Sequence, residues 1–366
     1  MGDRYISMRL LTIIGARPQF IKAAAVSREV AKHDDITEVI VHTGQHFDAN
    51  MSEIFFDQMQ IPRPDYNLAI NSLGHGAMTG RMLEEIEKVL LTEEPDWVLV
   101  YGDTNSTIAG ALAAKKLHIK VAHIEAGLRS FNMNMPEEIN RILTDRISDI
   151  LFCPTQTAVL NLRKEGYENI NATITNCGDV MYDAALFYAT LSKKPNVELP
   201  ETFILATCHR AENTDDPTRL KAIFRAMGDI SADTPIVLPL HPRTRKILAA
   251  SDIKHDYAHL HLIEPVGYLE MVWLLQHCRM VMTDSGGLQK EAYFFEKICL
   301  TMRDETEWVE LVEGGFNLLC GASRTRILQN FARARAMHPD YKKQLYGSGD
   351  ASGKIIAELL GDSRNQ

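Results

Sequence analysis

Short apolar runs of strand length alternate with stretches of helical spacing along almost the whole chain. In the first half the runs cover residues 10–14, 38–42, 97–101, 121–124 and 150–153, each followed by apolar residues recurring at the helical period. In the second half they cover 203–207, 236–240, 261–263, 280–283 and 298–301. Strand and helix in alternation predict a parallel sheet with helices on both faces. Two such series predict an α/β protein of two doubly wound, Rossmann-like domains. The length agrees, since 366 residues exceed the size at which a single core usually stops growing. The join is expected near Gly178, after a further run at 174–177, which gives domains of residues 1–177 and 178–350. The soft stretch 192–200 follows a linking helix, and the helical tail 351–366 is expected to pack back on the first domain.

The unit from Asp96 to Arg129 is the most informative part of the pattern. Two apolar runs flank a helix that opens on Thr104, Asn105 and Ser106, and both runs end on a carboxylate, Asp103 and Glu125. In a parallel sheet the carboxyl ends of the strands open onto the ligand crevice. An unpaired ionised acid buried there costs free energy, so the acids need a purpose. One such acid reads as a helix cap or a salt-bridge partner. Two in register point to a common ligand. A helix opening on Met135-Pro136-Glu137-Glu138 brings further acids, of which at least one suits the helix dipole without any other role. Clustered carboxylates raise one another's pKa, which suits groups that both take and give protons.

The second half carries a phosphate signature, Thr283-Asp284-Ser285-Gly286-Gly287, between a strand and a helix. Glycine lets the backbone approach a phosphate, and the free N–H groups of a helix start favour an anion. Glu291, one turn into that helix, is placed to accept from ribose hydroxyls. In the first half Gly15-Ala16-Arg17-Pro18-Gln19 forms a matching loop in which Arg17 can bond a phosphate bidentately. His209 and Arg210 stand just beyond a strand at the start of the second domain, where they can meet a pyrophosphate.

Charge and cysteine usage then narrow the class. With 48 acids against 39 Lys+Arg, the net charge of -9 argues against a general nucleic-acid binder, so an anionic ligand needs a local site. The six cysteines show no CxxC and no zinc-ligand spacing, and read as buried small hydrophobes in a reducing compartment. No apolar run approaches the roughly 18 residues of a membrane span and no signal segment opens the chain, so a cytoplasmic protein without a membrane or nucleic-acid partner is expected.

Taken together, GARPQFIK from Gly15, HTGQH from His42, GDT from Gly102, HIEAGLR from His123, PEEINR from Pro136, HRAEN from His209 and DSGG from Asp284 resemble the non-hydrolysing UDP-N-acetylglucosamine 2-epimerases, from about Met8 to near the C-terminus. The resemblance implies a glycosyltransferase-B-like fold with a UDP-sugar in the interdomain cleft, a homodimer, and neither metal nor cofactor. It implies anti elimination of UDP to a glycal, then return of UDP with a proton on the opposite face of C2. Its acid–base groups fall on Asp103, Glu125 and Glu137, and its cleft histidine on His209. Its UDP contacts fall on Arg17, Ser285, Gly286, Gly287 and Glu291, with Arg141 orienting the acids. It does not assign which acid removes the proton and which returns it.

Departures from the common pattern point to a branch. The loop 130–135 is short, Thr306-Glu307-Trp308-Val309-Glu310 replaces the usual TERPE, and residues 71–76 lack the arginine of the family's allosteric site, of which Gln45 and His46 are retained. These changes resemble the branch that acts on UDP-2,3-diacetamido-2,3-dideoxy-glucuronate in O-antigen synthesis, with plain UDP-N-acetylglucosamine as the alternative substrate. A substrate carboxylate calls for a cation, for which Arg129 and Arg303 are the candidates. A glycosyltransferase would share the phosphate loop without needing three acids, and a nucleotide-sugar sensor would keep the UDP contacts while tolerating their loss.

Overall fold

The computed structural model describes residues 7–45, 53–251 and 258–364. It divides into two compact units, one containing the residues up to Leu186 together with those from Gln344 on, the other Phe187–Lys343. In the first unit β1 (Met8–Ile14), β2 (Ile36–His42), β3 (Tyr66–Asn67), β4 (Trp97–Tyr101), β5 (Lys120–Ile124), β6 (Ile150–Cys153) and β7 (Thr173–Asn176) form one sheet in the order β3-β2-β1-β4-β5-β6-β7. In the second, β8 (Ile204–Thr207), β9 (Ile236–Pro239), β10 (His261–Ile263), β11 (Met280–Thr283), β12 (Cys299–Thr301) and β13 (Asn317–Leu319) follow the order β10-β9-β8-β11-β12-β13. Every strand pair is parallel.

This topology decides where a ligand can sit. In each sheet the chain runs outward from the first strand and then returns to its other side, so the order reverses between β1 and β4 and between β8 and β11. Such a switch point opens a crevice at the carboxyl ends of its strands. Those four ends carry Gly15-Ala16-Arg17, Gly102-Asp103, His209-Arg210 and Asp284-Ser285-Gly286.

Central strands buried on both faces explain the apolar runs. All five residues of β4 and all four of β11 are buried. The helix Asn105–Lys116 lies close against β1 because its small residues allow it: a Cβ on Gly110 would come within 2.6 Å of the Ile13 Cδ1.

The boundary falls after Leu186 rather than at Gly178. Asp183, on the helix Val180–Leu191, accepts hydrogen bonds from the amides of Ala351 (3.1 Å) and Ser352 (2.7 Å), which caps the helix Ala351–Arg364. That helix packs on Arg17–Val30, in the first unit. Among the described residues no helix is long and apolar enough to cross a membrane, and no group of His, Cys, Asp and Glu is arranged to hold a metal ion.

Candidate active site

In the first unit Asp103 and Glu125 stand just beyond the ends of the adjoining strands β4 and β5. Asp103 follows Gly102, which takes a left-handed φ of 63° that favours glycine. Its carboxylate accepts from Arg141 Nη2 at 2.5 Å, while its carbonyl accepts from Asn140 Nδ2 at 2.9 Å. Glu125 follows β5 directly and pairs with the Lys22 ammonium, both side chains being nearly buried. The helix Pro136–Ile147 then splits its two acids. Glu138 is buried and accepts from the amides of Ser130 (2.9 Å) and Phe131 (2.8 Å) and from Arg141 Nη1 (2.8 Å). Burial would raise its carboxyl, but these bonds outweigh it and hold it below the ordinary value. Glu137 is exposed. Glu138 therefore ties down the loop 130–135, and Arg141 joins that loop to Asp103.

The β1 loop is locked to the same place by Gln19. Its Oε1 accepts from the amides of Gly15 (2.7 Å) and Ala16 (3.0 Å), and its Nε2 donates to the Tyr101 carbonyl (2.6 Å) and the Thr104 hydroxyl (3.0 Å). Arg17 opens the helix, half-buried, beside this lock. Gln45 accepts from the amide (3.0 Å) and hydroxyl (2.8 Å) of Ser106, and His75 Nδ1 lies 3.3 Å from Asn105 Nδ2. His46 lies outside the described residues.

In the second unit Asp284 organises the switch point. Its fully buried carboxylate accepts from the amides of His209 (3.0 Å) and Arg210 (3.0 Å) and from Asn213 Nδ2 (3.2 Å), so the β8 and β11 loops are held together while the His209 side chain stays exposed. Ser285 caps the helix Gly286–Phe294, whose first N–H groups have no acceptor within the helix. A cavity of about 270 Å³ opens at the ends of β8 to β11, lined among others by His209, His241, Pro265, Ser285, Gly287 and Glu291. That is near the lower end of ligand-pocket sizes and suits part of a nucleotide. Glu291 is buried and accepts from the Tyr268 hydroxyl at 2.8 Å; burial pushes its carboxyl up to about 7, against the lowering effects of that bond and of Lys290. The segment 303–308 covers the glycine loop. Trp308 Nε1 donates to the Gly286 carbonyl (2.9 Å), the Lys290 ammonium lies 4.3 Å from the Trp308 ring, and Glu307 Oε1 lies 2.4 Å from where a Gly286 Cβ would stand.

Residues 28–360 match the family model of UDP-N-acetylglucosamine 2-epimerase. The chain belongs to that family. It is 59% identical over 96% of its length, and 99% of the relative's, to the UDP-2,3-diacetamido-2,3-dideoxy-D-glucuronate 2-epimerase of Pseudomonas aeruginosa. Its fold matches the crystal structure of the Methanocaldococcus jannaschii UDP-GlcNAc 2-epimerase in complex with UDP-GlcNAc and UDP, with a TM-score of 0.83, 42% identity and coverage of 96% and 99% of the two chains. The Neisseria meningitidis UDP-GlcNAc 2-epimerase bound to UDP-GlcNAc gives 0.82 at 33% identity, covering 97% and 100%. The two α/β units of this 2-epimerase are thus of the expected glycosyltransferase-B-like class.

Several side chains of the 2-epimerase do not follow from its motifs. His241 and Tyr268 lie outside every motif, while Lys22 and Asp284 stand within GARPQFIK and DSGG without a role that the motif reveals; each acquires its neighbour only through the fold. Of the two cations considered for a substrate carboxylate, Arg129 is ruled out. Its side chain is 1% exposed, donates to Asp145 at 2.7 Å and grips Glu165 with two bonds of 2.8 Å. Arg303 instead lies beside the phosphate loop, donating to Glu307 at 2.8 Å.

Proposed function

We propose that the chain interconverts the C2 epimers of UDP-2,3-diacetamido-2,3-dideoxy-glucuronate. The observation that carries this substrate is the 59% identity, along 96% of the chain, to the Pseudomonas aeruginosa enzyme that bears its name. In the forward direction a carboxylate takes the proton from C2 as the C1–O bond breaks, UDP leaves with the bonding electrons, and a C1=C2 double bond forms. A proton then reaches C2 from the opposite face and the UDP oxygen rejoins C1. No carbonyl activates the C2 proton, so a carbanion is too costly and C1–O cleavage runs ahead through a cation-like state. Carboxylates stabilise that cation, and cations or N–H donors stabilise departing UDP.

In this reading Asp103, Glu125 and Glu137 are the acid–base groups, supported by the placing of Asp103 and Glu125 at the ends of adjoining strands with Arg141 and Lys22 beside them. Arg17, Ser285, Gly286 and Gly287 hold the diphosphate, Glu291 takes the ribose and His209 attends the leaving group, while Arg141 orients Asp103. The working form is a homodimer in a reducing, cytoplasmic setting, to which the six free, buried cysteines are suited. Its product serves the synthesis of a surface polysaccharide such as O-antigen.

Proton NMR in deuterium oxide with each candidate UDP-sugar tests the reading. The expected result is interconversion of gluco and manno epimers with deuterium entering at C2, faster for the uronate. Retention of the original hydrogen defeats the mechanism. Faster turnover of UDP-N-acetylglucosamine, the substrate named for the 42%-identical Methanocaldococcus jannaschii relative, leaves the ordinary 2-epimerase in its place.

A further inference from the structure

Glu125 has a φ of 73°, in the left-handed region that a residue with a Cβ occupies only under constraint. What constrains it is one buried carboxylate. Asp145 binds His123, two residues before Glu125, through Oδ1 to Nδ1 at 2.6 Å, and accepts from the amide of Gly127, two residues after it, through Oδ2 at 3.1 Å. Between them the amides of Glu125 and Ala126 both donate to the Phe152 carbonyl, at 3.1 and 3.0 Å. The other face of the same ring reaches the second acid. His123 Nε2 donates at 2.7 Å to the carbonyl of Gly102, the residue that turns the chain into Asp103.

A single chain of bonds from Asp145 through His123 to Gly102 therefore underlies both carboxylates. Arg129 completes it, bracing Asp145 from the side away from the ring. The side chains of His123 and Asp145 are fully buried, so neither can touch a substrate. We propose that His123 and Asp145 are positioning residues that set the backbone beneath Asp103 and Glu125 and thereby the alignment of the acid–base pair. The proposal rests on the epimerase reading above.

The test separates the two arms of the ring in the full-length protein. Asparagine can place an amide nitrogen near the Nδ1 position and keep the Asp145 bond; glutamine can place one near Nε2 and keep the bond to Gly102. His123→Asn should lower kcat by about 10²-fold, the scale of a displacement of about 1 Å at a reacting group, while KM and the UDP dissociation constant stay within about threefold. His123→Gln should recover about tenfold of that loss. Asp145→Asn is the second variant, for the case in which His123→Asn does not fold, and should show the same split. Normal kcat in the folded variants, parallel loss of kcat and UDP binding, or glutamine no better than asparagine would each overturn the proposal. Failure of the epimerase reading itself shows separately, as absent C2 exchange in the unaltered protein, and the proposal falls with it.

Discussion

Replacing Glu291 with glutamine should stabilise the second unit at alkaline pH and leave it almost unchanged at acid pH. The carboxyl is largely buried, with Tyr268 as its hydroxyl partner, and burial lifts it from 4.5 to about 7. The folded protein therefore keeps this proton to higher pH than the unfolded chain does. Stability is lost as pH rises from the unfolded value through about 7, and the loss levels off above that. At about 1.4 kcal/mol per pKa unit, the penalty is under about 1 kcal/mol at pH 5 and about 3 kcal/mol at pH 8. Glutamine has nearly the shape of the protonated acid, can still accept from Tyr268, and does not titrate.

Urea unfolding at pH 5, 6, 7 and 8, followed by fluorescence, reads the difference, since Trp273 and Trp308 lie in this unit and only Trp97 in the other. The gap between Glu291→Gln and the unaltered protein should widen across that range to about 3 kcal/mol. UDP affinity adds a functional readout. If the ionised carboxylate accepts from ribose hydroxyls, affinity rises through pH 7 in the unaltered protein and is flat in the variant. A pH-independent stability gap, or a variant less stable at pH 8, would refute the argument that burial dominates this carboxyl.

Other outcomes follow from the remaining geometry. Asp103→Asn, Glu125→Gln and Glu137→Gln should each lower turnover by about 10²-fold or more while calorimetry still shows UDP binding; near-normal turnover would make that acid structural. Gly15→Ala should destabilise by about 1–3 kcal/mol in thermal unfolding, because its Cβ would meet Ser106 Oγ at 2.0 Å and Thr43 Oγ1 at 2.4 Å, two hydroxyls already bonded to each other. An unchanged midpoint counts against that packing. Arg303→Met should raise KM for the uronate by about tenfold or more, a single factor worth about 1.4 kcal/mol, and barely alter it for UDP-N-acetylglucosamine; equal changes remove Arg303 as the carboxylate's partner. Velocity against uronate concentration should be hyperbolic without added UDP-N-acetylglucosamine, and a sigmoid curve would restore the second site that the change at residues 71–76 argues against.

What the chain reveals before folding depends on whether a feature is local. Strands buried on both faces appear as apolar runs, so β4 and β11 are visible from composition alone. β3, two residues long at a sheet edge, is too short to show any period. The loops at the switch points are visible too, because glycine and acid mark the strand ends. Their pairings are not: Lys22 meets Glu125 across 103 positions, and Asp284 meets His209 across 75. The same limit makes neighbouring residues indistinguishable. Glu137 and Glu138 are equivalent as a sequence of two acids opening a helix, yet the fold spends Glu138 on the Ser130 and Phe131 amides and leaves Glu137 exposed. In HIEAGLR likewise the chemistry of seven residues looks shared out evenly, whereas His123, Gly127 and Arg129 all converge on Asp145, a residue outside the motif, and only Glu125 is left facing the crevice end of its strand. A sequence motif of this kind records the cost of holding one acid in a left-handed turn as much as it records the acid.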